Sequence, residues 1–153
     1  MIKNGIKAAK VEVVFGSCLK AIYEVAFVLL PVIVWSVALL SIGGSLEDIK
    51  RLPVWPFLGL ALYSSVLRDG ITAFHRDTSD DNRQRELIVI VGLIGVVVSS
   101  VLLTLAIMHA HNSVEKIHSL FYEFVFLVVG LGVFLVFFTK TVLSQRKDYK
   151  HYA

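Results

Sequence analysis

The stretch that decides the fold of this chain is 87-LIVIVGLIGVVVSSVLLTLAIM-108. Its 22 residues include no charged residue, no Pro, no Asn and no Gln. At ~1.5 Å per residue, a helix of this length extends about 33 Å, enough to cross a hydrocarbon core of roughly 30 Å. A helix in a soluble core would present one polar face, and this stretch presents none. It therefore predicts a membrane-spanning helix.

The composition places the whole chain in the membrane class. The 153 residues are 56% apolar and only 18% charged, compared with ~25% charged residues in typical soluble domains. The length fits one compact bundle without a separate soluble domain. Cys18 is the single cysteine, which excludes an intrachain disulfide. The net charge is +3, but the basic residues are spread over termini and loops, so direct nucleic-acid binding is not expected.

Residues 1–20 are too polar to span a membrane, and they show an amphipathic pattern. Apolar residues recur at helical spacing beside lysines, which predicts a short helix lying on the membrane surface. The alternative is a frayed cytosolic tail. A signal peptide is not predicted, because the apolar run that follows is too long for one.

Four apolar runs predict an all-α, four-helix transmembrane bundle. The predicted spans are 21–44, 53–74, 87–108 and 120–139, and residues 140–153 form a cytosolic tail. The uncharged part of the second span covers only 52–67, so a helix long enough to cross must continue through Arg68 and Asp69. A re-entrant segment is the alternative there.

The distribution of Lys and Arg predicts the orientation. Twelve of them fall on the N-terminus, the second loop and the C-terminal tail, against three on the opposite side. Positive charge collects on the cytosolic side of membrane proteins. Both termini are therefore predicted to be cytosolic, in a plasma membrane of bacterial type.

Charged residues inside spans are costly and mark candidate sites. Glu24 and the pair Arg68-Asp69 are expected at similar depth near the cytosolic ends of the first two helices, so Glu24 and Arg68 could pair. Lys20, one turn before Glu24, is the rival partner. An ion-pair clamp or snorkelling into headgroups is the structural interpretation, and a gating or transport role is the functional one. Glu123 lies near the outer end of the fourth helix.

The second loop and the tail are predicted to contact a partner. Thr78 and Asp81 match a capping box, which would start the third helix near Asp80. The candidate partner-binding residues are charged and cytosolic: Arg76, Asp80, Asp81, Arg83, Arg85, Arg146 and Lys147.

Neither catalysis nor metal binding is indicated. None of the common catalytic or nucleotide-binding motifs occurs in the sequence, and no cofactor is expected. His109, His111 and His118 share the predicted outer side. A zinc site there lacks suitable co-ligands. A pH-sensing role and three solvated loop histidines stay open.

Small residues predict close helix packing. Gly92, Gly95 and Ser99 follow one another at spacings of three and four on the third helix. Small residues let helix backbones approach in lipid, either within one bundle or between protomers.

Two classes of function follow. The first is a non-catalytic, homo-oligomeric membrane subunit that anchors or signals to a cytosolic partner. The layout is similar in topology, though in no motif, to small four-span membrane subunits of bacterial phage-defence systems such as Kiwa and to immunity proteins against pore-forming toxins. That similarity implies a defence or immunity role. The alternative is a small channel or transporter with a polar path at Glu24, Arg68 and Asp69.

Overall fold

The protein folds into four long helices and one short one. The computed structural model describes the backbone of residues 2–76, 83–111 and 120–149 and the side chains of 15–72, 83, 86–111 and 120–143. The helices are α1 (Ile2–Ser41), α2 (Leu46–Lys50), α3 (Val54–Arg76), α4 (Arg83–Ala110) and α5 (Leu120–Tyr149). The described residues contain no strand, so the predicted all-α class is confirmed.

Three helical stretches among the described residues are long and apolar enough to cross a membrane. They are Phe15–Ser41, Glu86–Ala110 and Leu120–Leu143. Each corresponds to a predicted span. The predicted span 53–74 corresponds to α3, which is not among the three and carries Arg68 and Asp69 in its apolar run.

Helix α1 corrects the prediction of a separate surface helix over residues 1–20. It continues without interruption from Ile2 through Pro31 to Ser41. A helix that first lies on a membrane and then crosses it needs a sharp turn between the two parts. Residues 15–25 contain no Pro, and the helix continues through Gly16-Ser17, the pair at which a turn would be expected.

The connection between α1 and α3 is tightly hydrogen-bonded. Gly43 has a φ of 82°, a left-handed conformation that favours glycine after a helix end. Ser45 and Asp48 form a reciprocal capping box that starts α2. Hydrogen bonds from the hydroxyl and backbone N–H of Ser45 lower the pKa of the Asp48 carboxyl. The indole N–H of Trp55 donates to the Ile49 carbonyl oxygen at 2.8 Å, which ties α2 to α3.

Helix α3 is the central helix of the bundle. It contacts α4, α5 and α1, whereas α4 and α5 contact each other much less. Its Leu58, Leu62, Tyr63 and Val66 are buried. The other long helices expose many large apolar side chains, such as Phe27 on α1 and Ile94 on α4. The least apolar long helix is therefore shielded by the most apolar ones.

Helix α5 ends later than predicted. The tail was expected to begin at Lys140, but the helix continues to Tyr149. Residues 140–149 contain neither Pro nor Gly, so nothing in the local sequence ends the helix at the end of the apolar run. The predicted start of the third helix near Asp80, with its capping box at Thr78 and Asp81, lies outside the described residues.

Candidate functional site

Four charged side chains from three helices meet at one depth in the bundle. We call them the charged layer: Glu24 on α1, Arg68 and Asp69 on α3, and Lys140 on α5. Two carboxylates face two cations, so the layer is formally neutral. It joins α1, α3 and α5 at the end of the bundle where α3 and α5 end.

Lys140 is the centre of the charged layer. Its Nζ lies 2.7 Å from Glu24 Oε2 and 2.5 Å from Asp69 Oδ2. The side chains of Glu24, Asp69 and Lys140 are about one-fifth exposed, at 20%, 18% and 21%. The ammonium group thus bridges two partly buried carboxylates on different helices. Charge-assisted hydrogen bonds of this kind are stronger than neutral ones.

Arg68 contacts both carboxylates from the exposed edge of the charged layer. Its Nη2 donates to Glu24 Oε1 at 3.1 Å, and its Nε lies 3.7 Å from Asp69 Oδ1. The Arg68 side chain is 68% exposed. Solvent and headgroups therefore screen its pairing with Glu24 more than they screen the Lys140 pairs. Ser65 also donates a hydrogen bond to Glu24 Oε1.

The charged layer lies about one hydrocarbon thickness from the opposite ends of α1 and α5. Glu24 precedes the end of α1 at Ser41 by 17 residues, and Lys140 follows the start of α5 at Leu120 by 20 residues. At ~1.5 Å per residue these helix lengths are about 26 and 30 Å. A hydrocarbon core is roughly 30 Å thick.

A second constellation holds the middle of the bundle. The Tyr63 ring lies between Gly95 on α4 and Gly132 on α5, and we call these three residues the tyrosine contact. A Cβ added at Gly95 would lie 2.0 Å from Tyr63 Cδ1, and one at Gly132 would lie 3.3 Å from Tyr63 Cε2. The Tyr63 hydroxyl donates to the Val128 carbonyl oxygen at 3.0 Å. Only glycine at position 95 leaves space for the ring.

The other predicted packing residues also face α3. A Cβ added at Gly92 would lie 3.1 Å from the backbone N of Leu67. Ser99 is fully buried beside Gly59. Of the described side chains, its hydroxyl is one of two buried ones without a hydrogen-bond partner. The small residues of α4 therefore serve contacts within one chain.

The remaining predicted residues are dispersed. Glu123 is exposed in the first turn of α5, His109 is half-buried in the last turn of α4, and His111 is exposed. His118 lies outside the described residues. Among the residues that the structure describes, no three His, Cys, Asp or Glu side chains form a group suited to a metal ion.

The predicted partner-binding residues lie along the end of the bundle that carries the charged layer. Arg76 ends α3, Arg83 and Arg85 lie in the first turn of α4, and Arg146 and Lys147 lie in the last turns of α5. The Arg83 side chain is exposed. Asp80 and Asp81 lie outside the described residues.

Sequence reasoning paired Glu24 with Arg68, which the structure brings together, but it missed Lys140 and Ser65. Lys20 forms no ion pair with Glu24 among the described side chains. The signal for Lys140 was its position directly after the fourth apolar run, at the same depth as Glu24. It was overlooked because Lys140 was assigned to the tail.

Comparisons with known proteins do not assign this chain to a class. No family model, curated protein or solved structure matches it. Its function must therefore be inferred from its own geometry.

Proposed function

We propose that the protein is an integral membrane subunit with four spans, in which α3 is the second. The support is the central position of α3. Its Ser65 is buried, and its Arg68 and Asp69 lie in the charged layer, so a moderately apolar helix needs less lipid contact. The apolar surfaces exposed by the other three helices suit a hydrocarbon environment.

In this topology the charged layer lies at the cytosolic boundary, and both termini are cytosolic. The support is the excess of Lys and Arg on that side. Cysteines introduced singly at Ser79 and Ser113, in a Cys18→Ser background, are expected to react from opposite sides of intact cells. Labelling of both positions by an impermeant reagent added outside would contradict the four-span topology.

We further propose that this subunit is non-catalytic and presents its cytosolic end to a soluble partner, as a homo-oligomer. The observation that carries the proposal is the closed, neutral charged layer. Since Glu24 and Asp69 are paired with Lys140, they fix the helix ends relative to one another. Arg68 and Arg83 remain exposed at this end. A rigid platform with exposed guanidinium groups suits a partner that carries carboxylates or phosphates. A place in a defence or immunity system stays a prediction from topology.

The channel or transporter alternative has less support. Selectivity in a conducting path comes from rings of polar or charged groups that line the pore. The charged side chains described within the bundle gather in one layer, and the cavity beside it is lined mainly by apolar side chains. In the middle of the bundle, the tyrosine contact fills the space between α3, α4 and α5.

Co-purification with a matched pair of variants tests the proposed function. The tagged protein is extracted in mild detergent as wild type, as Arg83→Glu/Arg85→Glu, and as Lys50→Glu/Arg51→Glu on the opposite side. A soluble protein should be retained by the wild type and the second variant and lost from the first. Ion flux through reconstituted vesicles, together with no difference between the variants, would overturn the proposal in favour of a channel.

A further inference from the structure

Helix α1 exposes a row of large apolar side chains on the side that faces away from the bundle. Phe15 and Glu24 are nine residues apart, which at ~3.6 residues per turn places them on opposite sides of α1. Glu24 contacts α3 and α5, whereas Phe15 is 67% exposed. Leu19 and Ile22 follow Phe15 at spacings of four and three and are also exposed. We call Phe15, Leu19 and Ile22 the α1 stripe.

The α1 stripe continues past the end of the hydrocarbon core. With the charged layer at the cytosolic boundary, Leu19 lies about 8 Å and Phe15 about 14 Å beyond Glu24, at ~1.5 Å per residue. The headgroup region adds only about 5–8 Å on each side of the core. The apolar run of α5 ends at Leu143, three residues after Lys140. Helix α1 therefore presents apolar side chains to water, where a contiguous apolar surface indicates a protein contact.

The sequence around the α1 stripe has the period of a coiled coil. Ala8, Val11, Phe15, Cys18 and Ile22 follow one another at spacings of three, four, three and four, the a and d positions of a heptad pattern. All five residues are uncharged. Helix α1 is continuous over this range, so the five positions share one side of the helix.

The charges beside this pattern are complementary between two parallel copies. Lys7 precedes an a position and is therefore a g residue, and Glu12 follows a d position and is therefore an e residue. In a parallel pair of helices, a g residue of one copy lies beside the e residue five positions later in the other, and opposite charges there set partner and orientation. Lys7 and Glu12 are five residues apart and opposite in charge. Two copies in one membrane also have the same orientation, because Lys and Arg keep to one side.

We propose that two copies of this chain pair in parallel through residues 8–22 of α1. The apolar a and d residues meet along the seam, and the Lys7 of each copy pairs with the Glu12 of the other. A second copy suits this surface because the apolar seam and its flanking charges are complementary to themselves in one register. The inference deepens the homo-oligomer proposed above and rests on the proposed membrane placement, but not on the soluble partner.

Oxidative cross-linking through the native cysteine tests the inference. Cys18 is the single cysteine of the chain and occupies a d position, so its two copies should lie within disulfide reach, with Cα atoms less than about 7 Å apart. The full-length protein in membranes is treated with copper phenanthroline in air, which oxidises two thiols to one disulfide. A covalent dimer should form, and a reducing agent should return the monomer. This experiment needs no substitution, so it does not depend on the folding of a variant.

Cysteines moved along α1 locate the contact. In a Cys18→Ser background, Phe15→Cys and Ile22→Cys should restore the covalent dimer, because both occupy a positions. Lys20→Cys is the matched control, since Lys20 is exposed but lies on another side of α1, and it should give little or no dimer. Equal yields at positions 15 and 20 would mean random collision and would overturn the inference.

Charge variants test the pairing of Lys7 with Glu12. Lys7→Glu should lower the yield of the Cys18-linked dimer, and Lys7→Glu/Glu12→Lys should restore it. Lys10→Glu makes the same change of charge at a c position, away from the seam, and should leave the yield unchanged. Equal losses from the two single variants would mean a general effect of charge and would contradict the pairing.

Light scattering in mild detergent separates this inference from the homo-oligomer itself. An oligomer in which Cys18 is not cross-linked would overturn pairing through α1 and leave the homo-oligomer intact. A monomer without cross-linking would refute both. Release of the protein from membranes by carbonate would instead refute the membrane placement.

Discussion

The charged layer and the tyrosine contact each join three helices, with α3 and α5 in common, but by different physical interactions. In the charged layer, α1, α3 and α5 are joined by Lys140 between two carboxylates at 2.5 and 2.7 Å. In the tyrosine contact, α3, α4 and α5 are joined by a ring that fits between two glycines and donates one hydrogen bond. Ion pairs tolerate small shifts because their energy changes slowly with distance. A ring against a glycine does not, because repulsion rises steeply.

The largest loss of stability is expected from a substitution at the tyrosine contact. Gly95→Ile should destabilise the protein by about 3 kcal/mol or more, the upper end of overpacking costs, because Tyr63 is confined from two sides. The measurement is thermal unfolding in detergent. The matched control is Gly130→Ala on α5, since an added Cβ there meets no atom within 4 Å. Equal melting temperatures for the two variants would show that the ring can move away.

The next effect is expected at the charged layer. Lys140→Met should cost about 3 kcal/mol, because loss of the ammonium leaves two partly buried carboxylates, Glu24 and Asp69, with only the mostly exposed Arg68 as a cation. The control is Lys50→Met, which removes an exposed pair with Glu47 and should cost about 0.5 kcal/mol or less. Similar losses in both variants would mean that the charged layer behaves like an ordinary surface pair.

Double-mutant cycles separate the two cations that contact Glu24. We expect a coupling of about 1–2 kcal/mol between Glu24→Gln and Lys140→Met, but only about 0.5 kcal/mol between Glu24→Gln and Arg68→Met, because Arg68 is mostly exposed. Thermal stability in detergent gives both values. A larger coupling with Arg68 would reverse this order, and additive losses in both cycles would mean that neither cation pairs with Glu24.

The smallest changes in the free energy of unfolding are expected for substitutions of two buried serines. Ser99→Ala should leave stability unchanged or slightly raise it, because it removes a buried hydroxyl without a partner. Ser65→Ala should cost about 1 kcal/mol, since Ser65 donates to Glu24. The same unfolding measurement compares them. A clear loss in Ser99→Ala would show that this hydroxyl has a partner in the membrane.

The two regions were predictable to different degrees. The spacing of Gly92, Gly95 and Ser99 indicated a close helix contact, and Glu24 and Arg68 were recognised as charges at one depth. The residues that complete each region were not recognised. Tyr63 is one aromatic residue among many in the sequence, and no local pattern marks it as the ring that meets Gly95. Lys140 was assigned to the tail because the end of an apolar run was taken as the end of the helix.

Residues 1–20, predicted as a separate surface helix, are the first part of α1. An amphipathic pattern describes which residues share a face, but not whether the helix turns before the next segment. No Pro lies between residues 15 and 25, and the helix continues through Gly16 in α1. The capping box between Ser45 and Asp48 that starts the short helix α2 was not predicted either.

The sequence by itself determined the helical class, the three most apolar helices and the unequal distribution of Lys and Arg, because these depend on local composition and period. Only the tertiary structure decided that α3 is central, that Lys140 bridges Glu24 and Asp69, and that Tyr63 fits between Gly95 and Gly132. Those features depend on which residues meet from helices far apart in the chain. Packing and charge at a common depth determine which residues pair. Neither can be predicted from the residues adjacent in the sequence.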